Sequence, residues 1–186
     1  MKKVLFILGE LTDDDIDWMI AISTQERVPA GTILIREGQL IDALYIVIDG
    51  TLTVSVAALG DREVAHLSSG EVVGEMSFVD ERPPSATVTA SVDTLVMAIP
   101  REQLVVKLQQ DVGFASRFYR ALAIFLSDRL RGTVNRLVSG KEPSAEERTA
   151  QENSMAPNIR DNLALGGTRF DWLMRRLRGM DAQTLE

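Results

Sequence analysis

Apolar and polar residues alternate in short runs between Glu26 and Ile99, and these runs predict β-strands. The segments are rich in β-branched residues and are separated by glycines and other turn residues. They are Ile33–Ile35, Ala43–Ile48, Leu52–Val56, Val64–Leu67, Ala86–Ala90 and Leu95–Ile99. Gly60 and Asp61 predict a hairpin turn. Short strands at this spacing are typical of a barrel or roll rather than a parallel sheet.

Helical patterns flank the strand region on both sides. Thr12 predicts an N-cap, and the residues Ile16, Met19 and Ile20 that follow it fall on one face of a helix. Pro100 ends the last predicted strand and suits the first turn of a second helix.

The longest helical pattern runs from Phe114 to Val138. Its apolar residues recur at intervals of three and four; they are Phe118, Leu122, Phe125, Leu126, Leu130, Val134 and Leu137. This stripe is wider than one contact with the strand region requires. Packing on the strands alone remains the alternative, but we expect a homodimer through Phe114–Val138.

The composition changes after the long helix. Residues 139–167 are rich in Lys, Glu, Ser, Gln, Asn and Pro, which predicts a polar linker. Residues 168–180 predict a short basic amphipathic helix that starts at Thr168 and can end at Gly179. Its apolar residues are Phe170, Leu173, Met174 and Leu177, and its arginines are Arg169, Arg175, Arg176 and Arg178. We expect it to dock on its own chain; a protein partner or an anionic membrane for residues 168–178 are the alternatives.

Composition and charge make several classes of site and partner unexpected. The 186 residues include no cysteine and one histidine, His66, which lies in a predicted strand, so we expect no metal site. The net charge is −7, and residues 1–113 carry 8 basic and 18 acidic groups. An acidic body makes nucleic acid an unexpected partner. The apolar run from Val4 to Leu8 is too short for a signal peptide, and we expect a cytoplasmic protein.

The stretch from Gly70 to Thr89 holds the candidate binding chemistry. Gly74 permits an unusual backbone conformation, and Glu75 follows it at the start of a segment long enough for one helical turn. Amides at the start of such a turn can face an anion, although a plain turn between strands gives the same pattern. The acidic pairs here, such as Asp80 with Glu81, fit turns and ligand binding better than acid–base catalysis, so we expect no enzyme.

A wider pattern gives this stretch its context. The chain reads VPAGTILIREGQLIDALYIVIDGTLTVS from Val28 to Ser55, and GEVVGEMSFVDERPPSATVTA follows from Gly70 to Ala90. Five glycines lie between the predicted strands of these two parts: Gly31, Gly38, Gly50, Gly70 and Gly74. Together with Tyr45-Ile46-Val47 before Gly50 and Glu75 after Gly74, this closely resembles the cyclic nucleotide-binding domain family. The resemblance covers most of residues 5–138.

The resemblance implies a mainly β fold with flanking helices. Specifically, it implies a double-stranded β-helix, or jelly-roll-like β-roll, over residues 1–138, followed by a long C-terminal dimerisation helix. The ligand in this family is a cyclic nucleotide. The resemblance therefore implies cAMP or cGMP as the possible ligand and no other cofactor.

The resemblance also implies site residues. Glu75, after Gly74, matches the glutamate that bonds the ribose 2′-hydroxyl, and the amides of Met76 and Ser77 match those that meet the cyclic phosphate. Ser85 matches a phosphate-binding serine and is followed by the small residue Ala86. The position of the family's phosphate-binding arginine is Pro84, and Arg82 is the nearest substitute. We therefore expect weakened or lost binding of cAMP or cGMP.

These expectations favour a non-enzymatic sensor or regulatory domain. The alternative is a catabolite activator-like transcriptional regulator that binds DNA. The 48 residues after Val138 contain one convincing helix, fewer than a helix-turn-helix domain needs.

Overall fold

The computed structural model describes residues 2–139, 144, 150 and 153–183 of the chain. The chain divides into two compact units, which are described separately below. The first unit comprises Met1–Val4 and Asp13–Ala115, and the second comprises Leu5–Thr12 and Ser116–Glu186.

The first unit is built on two antiparallel four-stranded sheets. The strands are β1 (Thr24–Val28), β2 (Ile33–Ile35), β3 (Ala43–Asp49), β4 (Thr51–Val56), β5 (Arg62–Ser68), β6 (Val72–Val73), β7 (Thr87–Ala90) and β8 (Thr94–Pro100). One sheet has the order β1-β8-β3-β6 and the other β2-β7-β4-β5. Consecutive strands therefore alternate between the two sheets, apart from the β4–β5 hairpin within the second sheet, and this arrangement is a β-roll.

Strand burial follows the strand order. Every residue of β3 except Asp49 is buried, because β3 lies inside its sheet between β8 and β6. In β4, Leu52 and Val54 are buried while their neighbours are half-buried, which is the period of two expected for a strand with one face in the core.

Two helices of the first unit flank the strands. Helix α2 (Asp13–Ile22) buries Ile16, Met19 and Ile20, as the sequence predicts. Helix α3 (Arg101–Gln110) begins directly after Pro100, which ends β8, and it buries Leu104.

The predicted strands are all present, with bounds that shift by one or two residues. The sequence pattern predicts no element at β1, β6 or helix α1 (Val4–Glu10). Strand β1 has the polar sequence TQERV and buries only Val28, and β6 has two residues, so neither carries a periodic apolar signal.

The second unit is helical. It contains most of α1, the greater part of helix α4 (Val112–Ser139) and helix α5 (Pro157–Gln183). The Glu10 side chain, only 5% exposed, accepts hydrogen bonds from Arg120 at 2.8 Å and from Asn162 at 2.7 Å. One buried carboxylate of α1 therefore joins α4 and α5.

Helix α5 also binds the end of α1. Arg169 Nη1 donates to the carbonyl oxygens of Leu8 at 2.8 Å and Leu11 at 2.6 Å. These bonds satisfy carbonyls that a helix C-terminus leaves without intrahelical partners. Phe170, Leu173 and Leu177 of α5 are at most 2% exposed. The apolar face of the tail is thus buried by the chain's own residues.

The prediction that this helix starts at Thr168 is wrong. Helix α5 begins at Pro157 and continues past Gly179 to Gln183, and Thr168 donates its hydroxyl to Ala164 O within the helix. Residues 157–167 are therefore helix and not linker. Their polar composition and two adjacent glycines resembled a linker, but Gly166 packs against α1. Most of the predicted linker between residues 139 and 157 lies outside the described residues.

Gly166 and its neighbour Gly167 provide a test of this packing. A Cβ at Gly166 would collide with the backbone of Leu5, whereas a Cβ at Gly167 would meet no atom within 4 Å. We expect Gly166→Ala to lower the free energy of unfolding by more than about 1 kcal/mol, although alanine is intrinsically the better helix former. Urea unfolding followed by circular dichroism measures this.

Gly167→Ala is the matched control. It should raise the free energy of unfolding by about 0.5–1 kcal/mol, because alanine is favoured and nothing obstructs it. Equal effects of the two substitutions would contradict the observed packing of α5 on α1.

Candidate functional site

The segment Gly70–Ala86, called the cassette below, lies beside strand β3. Pairing of Tyr45 with Val73 and of Ile46 with Val72 places β6 next to β3. Gly74 follows with a φ of 89°, and a Cβ there would lie 2.8 Å from Ile41 Cδ1. Both the left-handed backbone and the close approach require glycine at this position.

A 3-10 turn from Glu75 to Phe78 follows Gly74 directly. The Glu75 side chain is only 2% exposed and Ser77 only 3%, whereas Met76 is 50% exposed. Ser77 Oγ donates a hydrogen bond of 2.9 Å to the carbonyl oxygen of Arg82. The turn therefore starts with a buried carboxylate directly after Gly74, and ligand binding by Gly74, Glu75, Met76 and Ser77 stays a prediction.

The second half of the cassette returns towards strand β7 beside the β2–β3 loop. Gly38 N donates to Pro84 O at 2.9 Å, and Glu37 N donates to Thr87 Oγ1 at 3.2 Å. Ser85 is exposed and Ala86 is half-buried. Position 84 therefore contributes a backbone carbonyl to the roll and no charged group.

Arg82, the nearest substitute for the missing arginine, lies on the exposed surface of the loop. Its side chain is 81% exposed, and its Nε lies 3.7 Å from Asp80 Oδ2. Asp80 Oδ1 also accepts a hydrogen bond from the backbone N–H of Arg82 at 3.2 Å. The Arg82 guanidinium therefore lies beside Asp80 on the exposed part of the loop.

Arg101, the first residue of α3, contacts the cassette, and the sequence pattern does not predict this contact. Its Nη1 donates a hydrogen bond of 3.0 Å to Ser77 O, and its guanidinium carbon lies 4.8 Å from the centre of the Phe78 ring. Its backbone N–H donates to Asp42 O at 2.7 Å. Arg101 thus fixes the 3-10 turn of the cassette to the junction of β8 and α3. Its place directly after Pro100 is the one signal in the sequence.

A second polar contact lies at the start of strand β3. The Tyr45 hydroxyl donates to Asp42 Oδ1 at 2.8 Å. Burial, and then the neighbouring Asp42 carboxylate, raise the pKa of Tyr45 above its usual range. Tyr45 therefore stays protonated as a hydrogen-bond donor at physiological pH.

The structure shows neither a metal cluster nor a membrane span in the part of the chain that it describes. No group of three or more His, Cys, Asp or Glu residues there could hold a metal ion. No helix within residues 2–139 or 153–183 is long and apolar enough to cross a membrane.

The sequence of residues 25–111 matches the family model of the cyclic nucleotide-binding domain. The Cyclic AMP receptor protein of Thermus thermophilus is 32% identical over 123 residues, which cover 65% of this chain and 55% of that protein. The cAMP-dependent protein kinase regulatory subunit of Blastocladiella emersonii is 29% identical over 118 residues, which cover 62% of this chain and 29% of that protein. The chain thus spans about half or less of these two relatives.

A solved structure has the same fold. A cyclic nucleotide-binding domain from Methylobacillus flagellatus superposes with a TM-score of 0.64 at 20% sequence identity, covering 77% of this chain and 85% of that one. The shared fold confirms the predicted β-roll followed by a long helix, and the match to the family model identifies residues 25–111 as a cyclic nucleotide-binding domain. The roles of the cassette residues in ligand binding stay predictions.

Arg101 can be tested against Arg82, the exposed arginine of the same region. Arg101→Met keeps much of the apolar contact with Phe78 but removes the bond to Ser77 O. We expect it to lower the free energy of unfolding by about 1.5–3 kcal/mol, the range for hydrogen bonds of charged groups. Chemical denaturation of the full chain measures it.

Arg82→Met is the control for Arg101→Met. The exposed Arg82–Asp80 pair should contribute less than about 0.5 kcal/mol. If Arg82→Met lowers the free energy of unfolding as much as Arg101→Met does, the assignment of Arg101 as the arginine that supports the cassette is wrong.

Proposed function

We propose that this protein is a non-enzymatic sensor or regulatory domain whose cassette binds cyclic nucleotides weakly or not at all. Membership of residues 25–111 in the cyclic nucleotide-binding domain family supports a regulatory role. The buried Glu75, the amides of Met76 and Ser77, and Ser85 are the groups that we assign to ligand contact. The relatives named above are a cyclic AMP receptor and a kinase regulatory subunit, which suggests cAMP as the first ligand to test.

The proline at position 84 is the observation from which we infer a weakened affinity for cyclic nucleotides. A guanidinium at this position would form a charged hydrogen bond with a phosphate, worth about 1.5–3 kcal/mol. Its absence should weaken binding roughly tenfold to a hundredfold, since about 1.4 kcal/mol is a factor of ten. Arg82 is turned towards Asp80, and Arg101 is bound to Ser77 O on the α3 side of the turn.

The pocket can be tested by restoring the arginine. Pro84→Arg should raise the affinity for cAMP about tenfold to a hundredfold, measured by calorimetry on the full chain. The Gly38–Pro84 bond uses the carbonyl of residue 84 and survives the substitution. Glu75→Ala in the Pro84→Arg background should lower the affinity again by about tenfold, because it removes the acceptor that we assign to the ribose hydroxyl.

Calorimetry on the unmodified chain also decides the proposal. Binding of cAMP or cGMP at micromolar affinity, lost on Glu75→Ala, would refute a degenerate pocket and support a true receptor.

The exposed part of α4 supports self-association. Phe118, Leu122 and Phe125 are at most 1% exposed and belong to the protomer's own core. By contrast, Leu130 is 65%, Val134 48% and Leu137 80% exposed. Spaced at four and three residues, these last three share one helix face. Within the predicted range Phe114–Val138, we therefore propose the C-terminal half of α4 as the dimer contact.

The dimer prediction is tested with charges on this face. Leu130→Glu together with Val134→Glu should convert dimers to monomers, because carboxylates would be buried against their own copies. Sedimentation velocity reports the change. Val112→Glu, at an exposed apolar residue elsewhere on α4, is the control and should stay dimeric. A monomeric unmodified chain would refute the proposal.

A further inference from the structure

We infer that the helical second unit binds a medium-chain carboxylate in a cavity between α4 and the start of α5. This site is separate from the cassette, so the inference goes beyond the proposed function and does not rest on it. The ligand class is an amphipathic anion with one short, unbranched apolar tail.

The cavity is large enough for a small molecule. Its volume is about 440 Å³, and ligand sites are typically clefts of about 300–1,000 Å³. Residues of α4 between 123 and 131 form one wall, and residues between 154 and 159 form the other, so the cavity lies wholly within the second unit. None of its lining residues belongs to the cassette, which makes it a second candidate site.

The inner end of the cavity is apolar. Ile124 of α4 and Ile159 of α5 are half-buried there, and Met155 adds a flexible apolar side chain. Ile124 and Ile159 also line a smaller gap, whose other walls include Leu5 and Leu163. The two isoleucines therefore separate the cavity from the interior of the unit and offer a ligand an apolar surface.

The outer end of the cavity is polar and carries a cation. Ser127, Arg131 and Ser154 line both the cavity and a more open groove beside it, so the cavity opens at these residues. All three side chains are exposed. The Arg131 guanidinium can donate two parallel hydrogen bonds to a carboxylate, and the serines offer hydroxyl donors. Helix α5 begins at Pro157 within this wall, and the positive end of its dipole also favours an anion.

The buried carboxylate of Asp128 determines which way the ligand points. Asp128 is 8% exposed and lines the cavity one turn of α4 before Arg131. It has an interaction of its own within the protein, so we assign it no contact with the ligand. Its negative charge disfavours a second carboxylate deep in the cavity, whereas Arg131 favours one at the opening. The head of the ligand therefore lies at Arg131, and its tail points towards Ile124.

The distance between these two residues sets the length of the tail. Ile124 and Arg131 are seven residues apart on one helix, which corresponds to about 10 Å along its axis. A chain of about eight carbon atoms, joined by single bonds of about 1.5 Å, spans a similar distance. Octanoate is therefore the probe of the experiment.

The test compares ligands that share a tail and differ in charge. Calorimetry on the full chain should show octanoate binding about tenfold more tightly than 1-octanol, because only the carboxylate forms a charged hydrogen bond with Arg131. Octylamine, whose ammonium group would face Arg131, should bind more weakly than octanoate. Hexanoate lacks two methylene groups and should bind about tenfold more weakly than octanoate.

Two arginine variants locate the charged contact. Arg131→Gln should lower the affinity for octanoate about tenfold and leave the affinity for 1-octanol unchanged. Arg175→Gln is the matched control and should change neither affinity, because Arg175 is exposed on α5 and does not line the cavity. Both arginines are exposed, so both substitutions are compatible with folding. Equal losses in the two variants would overturn the assignment of the anion to Arg131.

Hydrogen exchange locates the ligand without any variant. Octanoate should slow amide exchange in residues 124–131 and 155–159 and leave the strands of the first unit unchanged. Protection confined to the strands would overturn the inference.

The outcomes separate this inference from the proposed function. If octanoate does not bind at millimolar concentration, or if octylamine binds as tightly, the inference is wrong and the proposed function of the cassette is unaffected. The inference is also wrong if octanoate converts dimers to monomers, because the ligand would then occupy the contact between copies. Binding of octanoate that requires Arg131 and is unchanged by Pro84→Arg supports the inference.

Discussion

The pairing of β3 with β8 is the interaction on which the rest of the β-roll depends. The two strands are in register from Ala43 opposite Pro100 to Asp49 opposite Leu95, with one irregularity after Val47. Both are interior strands of the order β1-β8-β3-β6. Their side chains are almost all buried, and burial of apolar surface is the main favourable term in folding. The segments that form the candidate site enter or leave through these strands or their neighbours.

The geometry of the cassette follows from this strand order. Strand β6 lies on one side of β3 and leads into Gly74, while β8 lies on the other side and leads into Arg101. The 3-10 turn after Gly74 has four residues, too few to be stable on its own. Its shape is set by residues distant in sequence: Ile41 contacts Gly74, and Arg101 binds Ser77 O. The sheet therefore holds the site in place more than the local sequence does.

The dependence of the site on residues distant in sequence explains which features the sequence predicts. Strands such as β4 have a clear period of two because one face enters the core, and they were predicted nearly residue by residue. The Gly-Glu pair at Gly74 and Glu75 was also visible, because such a backbone needs glycine. The roles of Arg101 and Gly166 were not visible, since each depends on a partner from a distant segment. For the same reason the pattern at Thr168 suggested a helix start inside a longer helix.

The fold constrains the side chains at positions 75 and 84 differently. Pro84 supplies its carbonyl to Gly38, a contact that any residue can make, so the roll does not require a particular side chain there. Glu75 buries a carboxylate almost completely, which is unfavourable unless hydrogen bonds compensate it. The fold therefore leaves the side chain at position 84 open to change, whereas it keeps the carboxylate of Glu75 inside the cassette.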